Sequence, residues 1–122
     1  MDRLFKTLGD KNRLRIINLL SRSRLCVCEL EVILNTTQSN VSRHLSRLRT
    51  EKMITFEKQA QWIYYSIDPN FMKDNELLYR YLEKRMNQEE PFTTDLLRLD
   101  DYRASGENCE TLKSNEKTIF AG

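Results

Sequence analysis

Two cysteines separated by one residue, in the segment Leu25-Cys26-Val27-Cys28-Glu29-Leu30, carry the most distinctive chemistry of this 122-residue chain. A third, Cys109, lies far downstream, so the number of thiols is odd. Cys26 and Cys28 stand too close together to staple a fold. In a reducing compartment, thiols at this spacing point to metal or redox chemistry rather than to a structural disulfide. Thiolates are soft donors and suit soft ions.

A second chemical grouping follows directly. Between Gln38 and about Glu51, Val41, Leu45 and Leu48 recur at i, i+4 and i+7, the narrow apolar stripe of a helix. The remaining faces carry Gln38, Ser39, Asn40, Ser42, Arg43, His44, Arg47 and Arg49. Such a helix docks inward and turns amide, hydroxyl and guanidinium groups outward, which is what hydrogen bonding to base edges requires. A merely solvated helix has the same look, because charged outer faces are the norm. Its neighbours in the chain separate the two readings.

Upstream, Leu4, Phe5 and Leu8 fall at helical spacing before Gly9. Asp10 then reads as the N-cap of a helix through Leu20, with Leu14, Ile17 and Leu20 on one stripe. A short third helix carries Leu25, Leu30, Ile33 and Leu34 and ends at Asn35-Thr36, after which Thr37 caps the polar helix. Downstream, Ile54-Thr55-Phe56-Glu57-Lys58 and Trp62-Ile63-Tyr64-Tyr65-Ser66-Ile67 flank a polar Gln59-Ala60-Gln61, the pattern of a β-hairpin. A helix over about 70–87 presents Leu77, Leu78, Tyr81, Leu82 and Met86, a face broad enough to meet a second subunit. One more short helix is expected over 93–102, with Leu96, Leu97 and Leu99, and a polar, flexible tail over 105–122. This order is a mainly α fold with a β-hairpin wing, a winged helix-turn-helix whose polar helix enters the major groove. Gln38, Ser39, Ser42 and Arg43 are expected near base edges, with Asn40, His44 and Arg47 at bases or phosphates. The wing tip, with Lys58 and Gln61, is expected along the backbone or in the minor groove.

Composition bounds the reading. The length suits one compact domain, here 1–90, with an extension over 91–122 that carries Cys109. Only 3 Gly and 2 Pro are present, where ordinary usage gives roughly 8 and 6, which favours helices. No apolar run is long enough to span a membrane and the first residues do not form a secretory leader, so the expected location is the cytoplasm. Residues 1–65 hold 12 Lys/Arg against 6 Asp/Glu, so the half with the polar helix is the one suited to phosphate. With one histidine, no glycine-rich phosphate loop and no paired carboxylates beside a nucleophile, nothing forms a catalytic constellation.

Several stretches together resemble the ArsR/SmtB family of bacterial arsenic- and metal-responsive repressors. They are Phe5-Lys6-Thr7-Leu8-Gly9-Asp10, Arg13-Leu14-Arg15-Ile16-Ile17-Asn18-Leu19-Leu20, Leu25-Cys26-Val27-Cys28-Glu29-Leu30, Thr37-Gln38-Ser39-Asn40-Val41-Ser42-Arg43-His44-Leu45 and Trp62-Ile63-Tyr64-Tyr65. The likeness runs from about residue 3 to 68. It implies a homodimer built from the helices at about 2–8 and 70–87, bound to a two-fold operator on double-stranded DNA. It also implies repression without any cofactor, and release when a metal or metalloid binds.

The Cys-Val-Cys segment looks like that family's thiol sensor on the first helix of the helix-turn-helix. Members with this motif commonly carry a third cysteine one turn later, but Glu31 and Val32 stand there instead. Arsenite and antimonite favour three thiolates, which leaves Cys109, from its own or the partner subunit, to complete a set with Cys26 and Cys28. In a regular helix the two near thiols would point about 200° apart, so ligation is expected to distort the start of that helix. His44 is read as a DNA-facing or packing residue rather than a metal ligand. The helix at 70–87 has no histidine, so the family's interfacial zinc site is not expected. Oxidation of the same thiols, or cadmium or lead ligation, are rival signals. A winged-helix protein-interaction module without DNA binding is the rival of another class.

Overall fold

The computed structural model describes residues 2–113. Its first helical breaks fall where polar side chains satisfy orphaned backbone groups. Between α1 (Asp2–Leu8) and α2 (Lys11–Leu20), the Asp10 carboxylate accepts from the backbone N–H of Asn12 at 2.8 Å and of Arg13 at 3.1 Å. Helix α3 (Val27–Leu34) ends at Asn35, which takes the left-handed conformation with φ 52°. Asparagine tolerates that region better than most residues. Thr37 then caps α4 (Gln38–Thr50), its hydroxyl accepting from Asn40 N–H at 3.2 Å.

The hairpin pairs β1 (Ile54–Gln59) with β2 (Trp62–Ile67), in a register from Ile54 opposite Ile67 to Gln59 opposite Trp62. Arg49 on α4 lies over the Phe56 ring at 4.1 Å, which ties the wing to the polar helix. A further strand-like contact forms at Leu25, which exchanges two backbone hydrogen bonds with Tyr65, at 3.1 and 2.8 Å. Leu25 is therefore extended rather than helical, and α3 starts two residues later than the sequence pattern implied.

The single helix expected over 70–87 is broken. It forms α5 (Pro69–Asp74) and α6 (Glu76–Met86), joined at Asn75, whose backbone is non-helical at φ −127°, ψ 40°. The Asn75 side-chain amide donates to Phe71 O at 3.2 Å beside the backbone N–H of the same residue at 3.1 Å, so asparagine adds a second donor at the end of α5. Tyr79 and Met86 turn into the core, while Leu77 and Tyr81, with Phe5 of α1, stay exposed.

Helix α7 (Phe92–Ala104) packs on α2 and α3 through Phe92, Asp95, Leu99 and Tyr102, spaced i, i+3, i+7 and i+10. Of the expected leucines only Leu99 is buried, and Leu97 faces outward. Asp95, 1% exposed, occupies a core position because Arg15 meets it with two hydrogen bonds of 2.7 and 2.9 Å. Asn18 adds a bond to Phe92 O at 3.2 Å. The tail expected over 105–122 is not wholly a tail: residues 109–113 are helical, and Asn108 caps them by accepting from Thr111 N–H at 3.0 Å. The remaining part of that expectation, 114–122, lies outside the described residues.

The Arg15–Asp95 pair makes a testable point. Removing Asp95 leaves a part-buried guanidinium without its partner, so Asp95→Ala should lower unfolding free energy by about 2–3 kcal/mol. Urea unfolding would show a lower midpoint at unchanged slope.

Candidate functional site

The extended backbone at Leu25 decides the thiol geometry. Cys26 is the N-cap of α3, extended at φ −94°, ψ 173°, and not a member of the helix. Its sulfur consequently lies 3.1 Å from that of Cys28. The expectation that the two thiols diverge, and that ligation must distort the helix, is corrected by this placement: the chain brings them together before any ligand binds. Cys109 arrives from the turn after α7 of the same chain. It is disulfide-bonded to Cys26, and Cys28 is free. The three sulfurs all lie within 4.8 Å of one another.

The centre is apolar and screened. All three cysteines are buried and share contacts with Trp62, Tyr64 and Leu112. Burial pushes the Cys28 thiol up, the Glu29 carboxylate pushes it further, and Lys113 offsets part of the rise. The thiol is thus protonated at neutral pH. A cleft of about 210 Å³ opens beside the sulfurs, and its wall includes Gln38 at the start of α4 and Gln61 at the tip of the wing.

Glu29, itself buried, is the residue the sequence pattern did not single out. One carboxylate oxygen accepts from Cys26 N–H at 3.0 Å and the other accepts from the Tyr102 hydroxyl of α7. Burial, and then that hydrogen bond, raise the Tyr102 phenol well above its ordinary value, so it remains a donor. The signal was present as Cys26-Val27-Cys28-Glu29. This is the capping-box spacing, with a thiol where serine or threonine usually stands.

On α4 the side chains of Gln38, Ser39, Asn40, Ser42, Arg43 and Arg47 are exposed, and so are Lys58 and Gln61 on the wing. Asn40 donates to Thr36 Oγ1 at 3.3 Å and accepts from Arg43 at 3.4 Å, so this patch is organised before it meets anything. Arg47 is turned toward Thr7 Oγ1, at 3.4 Å, and Glu51, at 3.8 Å. His44 does not belong to the exposed set. It is 6% exposed on the inner side of α4, and its Nδ1 has no hydrogen-bond partner. Its position three residues after Val41 and one before Leu45 places it beside the apolar stripe, which explains the difference from its expected DNA-facing role.

A three-residue turn between α3 and α4, followed by a hairpin that packs on α4, defines a winged helix-turn-helix protein. Residues 10–55 match the family described as "Bacterial regulatory protein, arsR family". The chain is 45% identical over 67 residues to the arsenic resistance transcriptional regulator ArsR2 of Pseudomonas putida, covering 54% of this chain and 58% of that protein. It is 43% identical over 68 residues to the arsenical resistance operon repressor of Escherichia coli, covering 55% and 58%. It therefore spans 58% of the length of either curated relative. Among solved structures, HlyU from Vibrio cholerae is similar at 32% identity and a TM-score of 0.56, over 65% of this chain and 87% of that one. The chain belongs to the arsR family of bacterial regulatory proteins. Cys109 and α7 lie outside the residues that match the family pattern.

The inward position of His44 has a measurable consequence. Burial lowers its folded-state value, Asp10 partly opposes this, and Arg43 and Arg13 add to it. The unfolded chain therefore takes up the proton first as pH falls through the ordinary imidazole range, and stability drops there until the folded state also protonates. Comparing urea unfolding at about pH 7.5 and about pH 5.5, wild type should lose more stability than His44→Leu. Equal losses would remove the assignment of a neutral buried imidazole.

Proposed function

We propose that this chain is a homodimeric, DNA-binding transcriptional repressor that releases its operator when arsenite or antimonite is taken up by Cys26, Cys28 and Cys109. The observation that carries the reading is the convergence of three buried sulfurs within 4.8 Å of one another, beside the helix that would read DNA. Pyramidal trivalent arsenic and antimony suit three soft donors, whereas zinc usually takes four ligands. The donor set fits once a cellular thiol has reduced the Cys26–Cys109 bond by exchange: each of the three thiols then displaces one hydroxyl of arsenous acid, and its proton leaves with that hydroxyl as water. The relatives named for arsenic resistance support the same inducer class.

The DNA-facing part of the reading rests on the exposed Gln38, Ser39, Asn40, Ser42 and Arg43 at the N-terminal half of α4, with Lys58 and Gln61 on the wing following the backbone. The dimer reading rests on the exposed apolar residues Phe5, Leu77 and Tyr81 on α1 and α6. Cys109 acts in cis in this reading, since it reaches the pair from its own chain. A second reading is favoured by the Cys26–Cys109 bond: oxidation, rather than a metalloid, is the signal.

Fluorescence anisotropy with operator DNA tests these readings. Reduced wild type should bind in a strongly salt-dependent manner, and Arg43→Ala should weaken binding by about tenfold or more. Stoichiometric arsenite should release the reduced wild type but fail on Cys109→Ser. Release by a peroxide, with no response to arsenite in reducing buffer, would replace the metalloid by the redox signal.

A further inference from the structure

We infer that Glu29 and Tyr102 form a latch that positions Cys109 at the thiol centre, so that α7 is part of the sensor rather than an appendage. The inference rests on the reading that Cys109 belongs to that centre. Cys109 is 83 residues from Cys26 in sequence and is joined to it by a disulfide; in the reduced protein no covalent bond closes so long a loop, and other contacts must fix the approach. The approach is the last turn of α7 and the loop 105–108. Tyr102, in that last turn, donates its hydroxyl to Glu29 Oε2. The backbone carbonyl of the same Tyr102 accepts from Ser105 Oγ at 2.5 Å, and Ser105 Oγ in turn accepts from Glu107 N–H at 3.2 Å. Gly106 turns the chain with φ 77°, and Asn108 starts the helical turn on which Cys109 sits.

Glu29 is shared between both halves of the thiol set. Its Oε1 holds the backbone of Cys26, and its Oε2 holds the helix that delivers Cys109. One carboxylate thus contacts both segments that carry the disulfide-bonded sulfurs, and is placed to hold those segments together when that bond is reduced. Arg103, donating to Arg22 O at 2.9 Å, ties the same last turn of α7 to the end of α2. Tyr102 and Glu29 are positioning residues: neither needs to contact the bound metalloid.

The discriminating variant is Tyr102→Phe, which keeps the buried ring and removes one hydroxyl. The first readout needs no metalloid. In glutathione buffers, the Cys26 and Cys109 thiols exchange with glutathione disulfide to give the protein disulfide and two glutathione thiols, and the equilibrium constant reports how well Cys109 is presented. It should fall on the order of tenfold in Tyr102→Phe, the scale of one hydrogen bond to a charged acceptor. Glu29→Gln, which retains an amide oxygen for Cys26 N–H and an amide for the phenol, should fall less. Ile17→Val, a core change away from the latch that weakens the fold, should leave the constant unchanged.

The second readout is the set of thiols that arsenite shields from alkylation. Wild type should shield all three, while Tyr102→Phe shields Cys26 and Cys28 and exposes Cys109. Unchanged exchange equilibrium and unchanged shielding in Tyr102→Phe would overturn the latch, as would an equal loss in Ile17→Val. If arsenite shields no thiol of the wild type, the metalloid reading falls, and the exchange equilibrium still decides whether the latch exists.

Discussion

Two backbone hydrogen bonds between Leu25 and Tyr65 govern much of this molecule. A helix that started at Leu25 would carry Cys26 and Cys28 to opposite faces, because successive helical residues turn by about 100°. Pairing with the wing holds Leu25 extended, and the extension passes to Cys26, which becomes the cap instead of the first helical residue. The same pairing anchors the wing to the start of α3. One contact therefore sets the thiol spacing and the placement of the wing together.

The far side of the centre depends on electrostatics inside the core. Helix α7 carries Asp95 into a position where an apolar residue would ordinarily sit, and an isolated buried carboxylate there would be costly. Arg15 offsets that cost with a two-point hydrogen bond, the geometry that guanidinium groups make with carboxylates. The pair fixes α7 against α2 near its N-terminus, and Tyr102 fixes it against α3 near its C-terminus. Held at both ends, the helix has no freedom to slide along its axis. The loop beyond it starts from a defined point.

The helices up to α4 and the hairpin were legible in the sequence because their signals are local. Asp10 and Thr37 cap where they stand, Val41, Leu45 and Leu48 are spaced for one face, and the aromatic and β-branched runs flank a short polar tip. What escaped was set by contacts between distant residues. The late start of α3 depends on Tyr65, forty residues further along the chain. The burial of α7 was masked by Asp95, whose charge spoils an apolar stripe unless Arg15 is known to lie opposite. The three candidate thiols were legible as residue types, and their grouping was expected from the family resemblance and the three thiolates a trivalent metalloid takes, but the geometry of their convergence was not legible. That convergence requires both the extended cap and the anchored helix, and neither has a periodic signature. His44 stayed open between a DNA-facing and a packing role for a related reason: a polar residue adjoining an apolar stripe can turn either way, and the packing of α4 on α2 decides for the inward one.

In the proposed reading, the placement of the sulfurs also constrains how a ligand there would influence DNA. A ligand shifts an equilibrium only by the difference in its affinity for the two states, so it must sense a dimension that differs between them. The cleft beside Cys26 and Cys28 is walled by Gln38, the first residue of α4, and by Gln61 at the wing tip. The gap between these two elements must match the distance from a groove to its flanking backbone if both are to touch one duplex. Cys26 is the cap of the helix that precedes α4 across a three-residue turn, and Trp62, which follows Gln61, packs against the cysteines. In the reading proposed above, drawing three sulfurs around a single atom would therefore act on both sides of that gap at once. A coupling of this kind needs no distortion of α3: a small change in the angle between wing and α4 suffices, because two rigid contacts to one duplex leave little tolerance in the distance between them.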